Sequence, residues 1–171
     1  RVDNRKLHDA GGNLVESSER ADTFAAHLET VQWAVRPMNE MELRAPLFTA
    51  PLPTYDGTVT VDELKVSIRQ LKTKRASVQV SAEFLKALLD ANAIDEGCWL
   101  IQVMRMCWET KTTPNQWHFA KVVPIYKKGD PASCDNYRPI SLVSVLYKVY
   151  AKILLNRLKA AGAESRLWSR Q

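Results

Sequence analysis

Residues 118–126 read HFAKVVPIY, a β-branched and aromatic run interrupted by Pro124. Such a run favours an extended strand. Proline donates no hydrogen bond to a ladder, so it places that strand at a sheet edge or at a bulge. The natural second strand is YRPISLV, 137–143. Between the two lies KKGDPASCDN, dense in residues that form turns. The pattern predicts one antiparallel hairpin with a long loop.

The remaining periodicity is helical, so the expected class is α+β and mostly helical. Residues 1–14 read as an irregular lead-in with a turn at Gly11-Gly12-Asn13. Ser17 or Ser18 can cap a helix running to about Val35, with Ala21, Phe24, Ala25, Leu28 and Val31 on one face and Pro37 as its stop. Residues 44–58 hold three prolines and a glycine and read as a partly extended connector. Thr60-Val-Asp-Glu63 is a capping-box pattern for a second helix, with Val61, Leu64, Ile68 and Leu71 inward. After the basic break KTKRAS, Ser81 can cap a third helix that turns Phe84, Leu85, Leu88 and Leu89 inward. A fourth helix is expected from about Asp95 to Glu109, carrying Leu100, Val103, Met104 and Cys107. Thr113-Pro114 starts a short helical turn. Ser144 precedes a long helix, 145–160, whose apolar face is Val145, Leu146, Val149, Tyr150, Ile153, Leu154 and Leu158. Lys148, Lys152, Asn156 and Lys159 share the opposite face.

The net charge of +5 is unevenly spread. Residues 1–110 carry 13 basic and 16 acidic side chains, and residues 111–171 carry 11 basic and 3 acidic. A basic block on a folded segment suits a nucleic-acid or phosphate partner. Three widely spaced cysteines, Cys98, Cys107 and Cys134, fit neither a disulfide framework nor a zinc site and read as buried or half-buried thiols. No run of 18 apolar residues is present, so no transmembrane helix is expected. The first residues lack an apolar signal core, which suggests an intracellular chain, cytoplasmic or nuclear, or a piece of a longer one.

Lys127, Lys128 and Arg138 cluster around the predicted hairpin tip. Lysine supplies a mobile point charge, and arginine a planar fork that matches phosphate oxygens. Gly129 lets the backbone turn, and Pro139 restricts the backbone next to the arginine. These features suit a triphosphate or a nucleic-acid backbone, although a solvated loop has the same composition.

The combined stretch WHFAKVVPIYKKGDPASCDNYRPISLVSVLYKVYAKILLNRL resembles the start of the reverse transcriptase domain of non-LTR (LINE-type) retrotransposons. That family has a Trp, a strand ending in Pro-Ile/Leu-x-Lys-Lys-Gly-Asp, then Asn-Tyr-Arg-Pro-Ile-Ser-Leu and a helix with Tyr-Lys-x-x-x-x-x-Leu-x-x-Arg-Leu. Residues 60–72 and SAEFLKALL resemble the extension that precedes the domain, although KRASVQVS stands where the family has a Gly-Pro-Asp-Gly-like turn.

The resemblance implies a lead-in at 1–59, a helical N-terminal extension at 60–112 and, from 113 to 171, a partial fingers subdomain of a right-hand polymerase. It implies that Lys127 or Lys128 contacts the outer phosphates of an incoming dNTP and that Arg138 grips the triphosphate nearer the reacting centre. Tyr137 and Ile140 would anchor the strand; Trp117 and Tyr126 would pack rather than stack on bases. Apart from the resemblance, the charge of residues 111–171 assigns the face Lys148, Lys152 and Lys159 to holding RNA or DNA backbone. RNA template and DNA primer are the implied partners, and Mg²⁺ the ion of the full-length parent enzyme.

The family's metal-binding aspartates lie further on, in the palm, and no Asp-Asp pair occurs in these 171 residues. The expectation is therefore a fragment that lacks palm and thumb, binds no metal and does not polymerise by itself. Two other readings are a non-catalytic nucleic-acid-binding module or retroelement relic, and a helical interaction protein with a solvated basic face.

Overall fold

The computed structural model describes residues 6–34, 52–77 and 79–168. The chain forms two compact units, one of residues 1–47 and 122–141, the other of 48–121 and 142–171. No described helix is long and apolar enough to cross a membrane.

The helical unit contains α2 (Val61–Arg69), α3 (Ala82–Asp90), α4 (Trp99–Thr110), α5 (Val145–Ala160) and α6 (Ala163–Trp168). Thr60 starts α2 with the expected capping box: its Oγ1 accepts from the Glu63 N–H at 3.2 Å, and the Glu63 carboxylate accepts the Thr60 N–H at 3.0 Å. Ser81 caps α3 by accepting the Phe84 N–H at 3.2 Å. The stripes of α2, α3, α4 and α5 meet in one core in which Leu64, Ile68, Leu85, Leu100, Met104, Val149 and Ile153 are inaccessible to solvent. Phe84 departs from expectation and is 52% exposed. Leu85 fills the core position of that turn, and a neighbour about 100° round the helix is turned away from it. Pro114 leads into a 3₁₀ turn, Asn115–His118, that buries Trp117 against Tyr147 and Tyr150 at centroid distances of 6.3 and 6.1 Å. Cys107 is buried here, and burial pushes its thiol up.

Arg157 changes the picture of α5. It stands four residues after Ile153, on the inward stripe, and its side chain is only 5% exposed; Leu158, expected inward, is 43% exposed. Its Nε and Nη2 donate to the two Glu63 oxygens at 2.6 and 2.8 Å. Nη1 and Nη2 also donate to the carbonyls of Tyr55, Gly57 and Thr58 at 3.4, 3.0 and 3.2 Å. Trp108 Nε1 donates to the Asp56 carbonyl at 3.2 Å, and Arg105 Nε to that of Val59 at 2.8 Å. Five consecutive carbonyls of the connector are thereby satisfied by side chains from two helices, as a segment with no strand partner requires. The Tyr55 and Trp108 rings lie 4.8 and 4.4 Å from the guanidinium carbon.

The other unit contains β1 (Leu7–His8), β2 (Leu14–Val15), α1 (Arg20–His27), β3 (Lys121–Tyr126) and β4 (Tyr137–Leu142), the ends of β3 and β4 lying just beyond its limits. The lead-in is not irregular: β1 and β2 pair antiparallel, Leu7 opposite Val15, around a turn closed by the Asp9 carboxylate accepting the Asn13 N–H at 2.8 Å. The described residues therefore form two small hairpins, not one. Neither Ser17 nor Ser18 caps α1; Glu19 precedes it without a side-chain cap, and a π-helical turn, Leu28–Gln32, follows. Of the expected stripe only Leu28 is buried, Phe24 is half-buried, and Val31 is 57% exposed. The small core of this unit is Leu7, Val15 and Cys134 with Phe24 and Tyr137. The Pro37 stop lies outside the described residues.

β3 and β4 form the expected antiparallel hairpin. Its loop is tied internally. The Lys127 N–H donates to the Asn136 carbonyl at 2.8 Å, and Tyr126 Oη to the Gly129 carbonyl at 2.6 Å. Asn136 Nδ2 donates to the Asp130 carbonyl at 2.9 Å, and Tyr137 Oη to the Pro131 carbonyl at 2.8 Å. Gly129 has φ +94°, and a Cβ there would lie 2.7 Å from Asn136 Oδ1.

Two predictions follow from these contacts. Replacing Arg157 by Ala leaves the half-buried Glu63 without its cation and the Tyr55, Gly57 and Thr58 carbonyls without their donor, at a cost of roughly 3 kcal/mol in urea unfolding; with Glu63→Gln the losses should be strongly non-additive. Burial pushes the Glu63 carboxyl up, but hydrogen bonds from Arg157 and Thr60 and the guanidinium charge together hold it below its ordinary value. The contribution is therefore present above the unfolded glutamate pKa and is lost as pH falls through the lower folded value. An acid-unfolding midpoint that Glu63→Gln leaves unmoved would contradict this. In the hairpin, Gly129→Ala meets both a left-handed φ and Asn136, so it should cost about 1–2 kcal/mol locally. The readout is faster hydrogen exchange at the Lys127 amide, with the helical unit unaffected.

Candidate nucleotide and nucleic-acid interface

The faces of the β3–β4 hairpin follow from strand alternation. The Tyr126 and Tyr137 rings meet edge to face, with centroids 5.6 Å apart, and so lie on one face. Phe24 packs on Tyr137 from α1, centroids 4.8 Å apart, and Val122 and Pro124 border an apolar cleft with Phe24 and Leu28. Residues one position along point the other way. Lys127 and Arg138 are therefore brought to the opposite, solvent side, together with Ile125 and Ile140. All four are exposed, Ile125 at 51% and Ile140 at 41%. Ile140 thus does not anchor the strand by burial, whereas Tyr137 is half-buried and packs on Phe24 and Tyr126. Lys128 is also exposed and occupies the next loop position.

The loop carboxylates have local roles. Asp130 Oδ1 accepts the Ala132 N–H at 2.9 Å, the turn-forming bond its position suggests. Asp135 Oδ1 lies 3.5 Å from His27 Nε2. Among the described residues no group of three carboxylate, histidine or cysteine side chains is placed to hold a metal ion. Cys134 is buried beneath the hairpin, and burial pushes its thiol up.

On α5, Lys148 and Lys152 are half-buried. Lys159 is exposed and its Nζ lies 2.5 Å from a Glu164 oxygen, a surface pair that restrains it weakly. Sequence reasoning missed that Lys72 and Arg75, from the KTKRAS break, border the same groove as Lys148 and Lys152. The dense basic residues of that break were the available signal; their nearness to α5 is tertiary. It also missed Arg157, although that residue is the arginine of the Tyr-Lys…Arg-Leu helix pattern.

No protein-family model matches the chain. Curated relatives do. The chain is 30% identical over 163 residues to the probable RNA-directed DNA polymerase from transposon BS of Drosophila melanogaster, covering 92% of this chain and 18% of that protein. It is 29% identical over 159 residues to the RNA-directed DNA polymerase from mobile element jockey of Drosophila funebris, and 30% over 162 residues to that of Drosophila melanogaster. Each of these two alignments covers 87% of this chain and 17% of the relative, so the chain spans under a fifth of the proteins it matches. Over most of its length the chain is thus similar to one segment of the RNA-directed DNA polymerases of non-LTR mobile elements.

Proposed function

We propose that this chain is the fingers segment of such a polymerase, from residue 113 onward, preceded by its helical extension at 60–112. In this reading Lys127, Lys128 and Arg138 hold the triphosphate of an incoming dNTP. The observation that carries it is the internally bonded hairpin loop with Lys127 and Arg138 on one exposed face, in a chain related to RNA-directed DNA polymerases. Phosphoryl transfer is catalysed mainly by positioning and by stabilising charge. A preformed loop contributes both without reorganising when the anion arrives. Arg138 supplies a fork fixed to a strand; the lysines supply charge that can follow the phosphates. Mg²⁺ chemistry would be supplied by palm residues of the parent enzyme.

Lys148, Lys152 and Lys159 are assigned to the backbone of the RNA template or DNA primer, working in cytoplasm or nucleus. The basic balance of residues 111–171 supports this.

A fluorescent dNTP titrated into the chain should bind through the hairpin cations. Charge-assisted contacts contribute roughly 1.5–3 kcal/mol each, so the Lys127→Ala/Lys128→Ala/Arg138→Ala variant should bind at least about 10-fold more weakly with its circular dichroism unchanged. Equal affinity would remove the triphosphate assignment. Single-stranded RNA should bind with a steep salt dependence, about −0.7 in log–log slope for each phosphate neutralised. The Lys148→Gln/Lys152→Gln/Lys159→Gln variant should flatten that slope by about 2. An unchanged slope would leave these lysines merely solvated.

A further inference from the structure

The groove between the 70–77 segment and α5 combines two properties that a simple backbone site does not need together. It measures about 420 Å³. Lys72, Arg75, Lys148 and Lys152 border it, and none of its lining residues is acidic. Its floor is apolar, built from Leu71, Ala82, Val145, Ala151 and Leu155, with Tyr147 at the side. On α5 this lining runs from Val145 to Leu155, about 15 Å of helix. The small side chain of Ala151 in the middle leaves depth. Tyr147 and Leu155 are 39% and 41% exposed, so both present surface to an occupant. The loop wall is held in place: Lys74 has φ +55°, and its N–H donates to Glu83 Oε1 at 2.5 Å. Glu83 belongs to the first turn of α3, two residues after the Ser81 cap.

Four cations without a carboxylate call for an anion, and a concave apolar floor calls for an apolar body. Phosphates alone would leave the floor empty, and a duplex keeps its bases stacked inside. We propose that this groove takes an unpaired nucleotide of a single-stranded nucleic acid with its base inward. The base lies against Ala151 and Leu155 beside Tyr147, and the flanking phosphates meet Lys72 and Arg75 on one wall and Lys148 and Lys152 on the other. The inference rests on the nucleic-acid reading of α5 and adds to it a base pocket and two loop residues. Aromatic and apolar surfaces bind bases without regard to sequence, so little sequence preference is expected.

The test compares three labelled probes on the full chain: a ten-nucleotide single-stranded RNA, an oligomer of the same length and charge made of abasic units, and the same RNA in a duplex. The RNA should bind roughly 5- to 150-fold more tightly than the abasic oligomer, the range of one stacked base. Ala151→Phe, which fills the groove without altering charge, should remove that advantage and leave abasic binding unchanged. Should that variant fail to fold, as a thermal melt would show, Lys72→Gln/Arg75→Gln on the exposed loop provides the second arm. It should flatten the single-strand salt slope by about 1.4. RNA and abasic oligomer binding alike, with a normal salt slope, overturns the base pocket and leaves the backbone reading standing. Absence of salt-dependent binding to any probe overturns both. Displacement of the RNA by an acidic amphipathic peptide at lower concentration than by unlabelled RNA also overturns the inference, because the groove is then a protein-docking site.

Discussion

A guanidinium enclosed by the helical unit governs how that unit is assembled. Arg157 is almost fully removed from water, where an unpaired cation would be prohibitively costly. What makes the position tolerable is the number of acceptors around it: both oxygens of Glu63 and three connector carbonyls. Glu63 is itself half of the capping box of α2. The start of α2, the course of the connector and the placement of α5 are thus one geometric problem with one solution. An apolar residue at 157 could fill the volume but could not hold the connector carbonyls, and the chain there has no strand beside it to replace those bonds.

The hairpin solves a different problem with different means. It has a small core and few buried side chains, so its loop is shaped by short-range bonds instead: tyrosines at the base of each strand reach the carbonyls of Gly129 and Pro131, and Asn136 spans back to Asp130. These bonds turn the aromatic side chains to the packed face. They leave Lys127 and Arg138 on the other, together with Ile125 and Ile140.

What could be read from the residues was what depends on neighbours in sequence. The Thr60–Glu63 box and the Ser81 cap are local, and both are present. The 118–126 and 137–143 pair was legible because β-branched runs flank a turn-rich loop. Two-residue strands such as Leu7–His8 carry no period, so of β1 and β2 only the Gly11-Gly12-Asn13 turn between them was legible, and the Ser17-Ser18 pair suggested a cap where Glu19 stands with no side-chain bond. Arg157 was hidden for the opposite reason. A charge in an apolar stripe reads as a surface residue until its partner is known, and Glu63 lies 94 positions away. Lys72 and Arg75 were visible as charges, but only the fold sets them beside Lys148 and Lys152.

The separation between Arg157 and the carbonyls it satisfies also sets an order of events during synthesis. Tyr55, Gly57 and Thr58 leave the ribosome 102, 100 and 99 residues before their donor. Until α5 emerges, those carbonyls can be served only by water, and α2 has a cap but no partner for Glu63. The hairpin of 122–141 is already outside by then. Contacts of such long range are slow to close, so the nascent helical unit should remain open until its last long helix arrives, and a ribosome stalled before residue 157 would hold a chain that cannot yet bury its own connector.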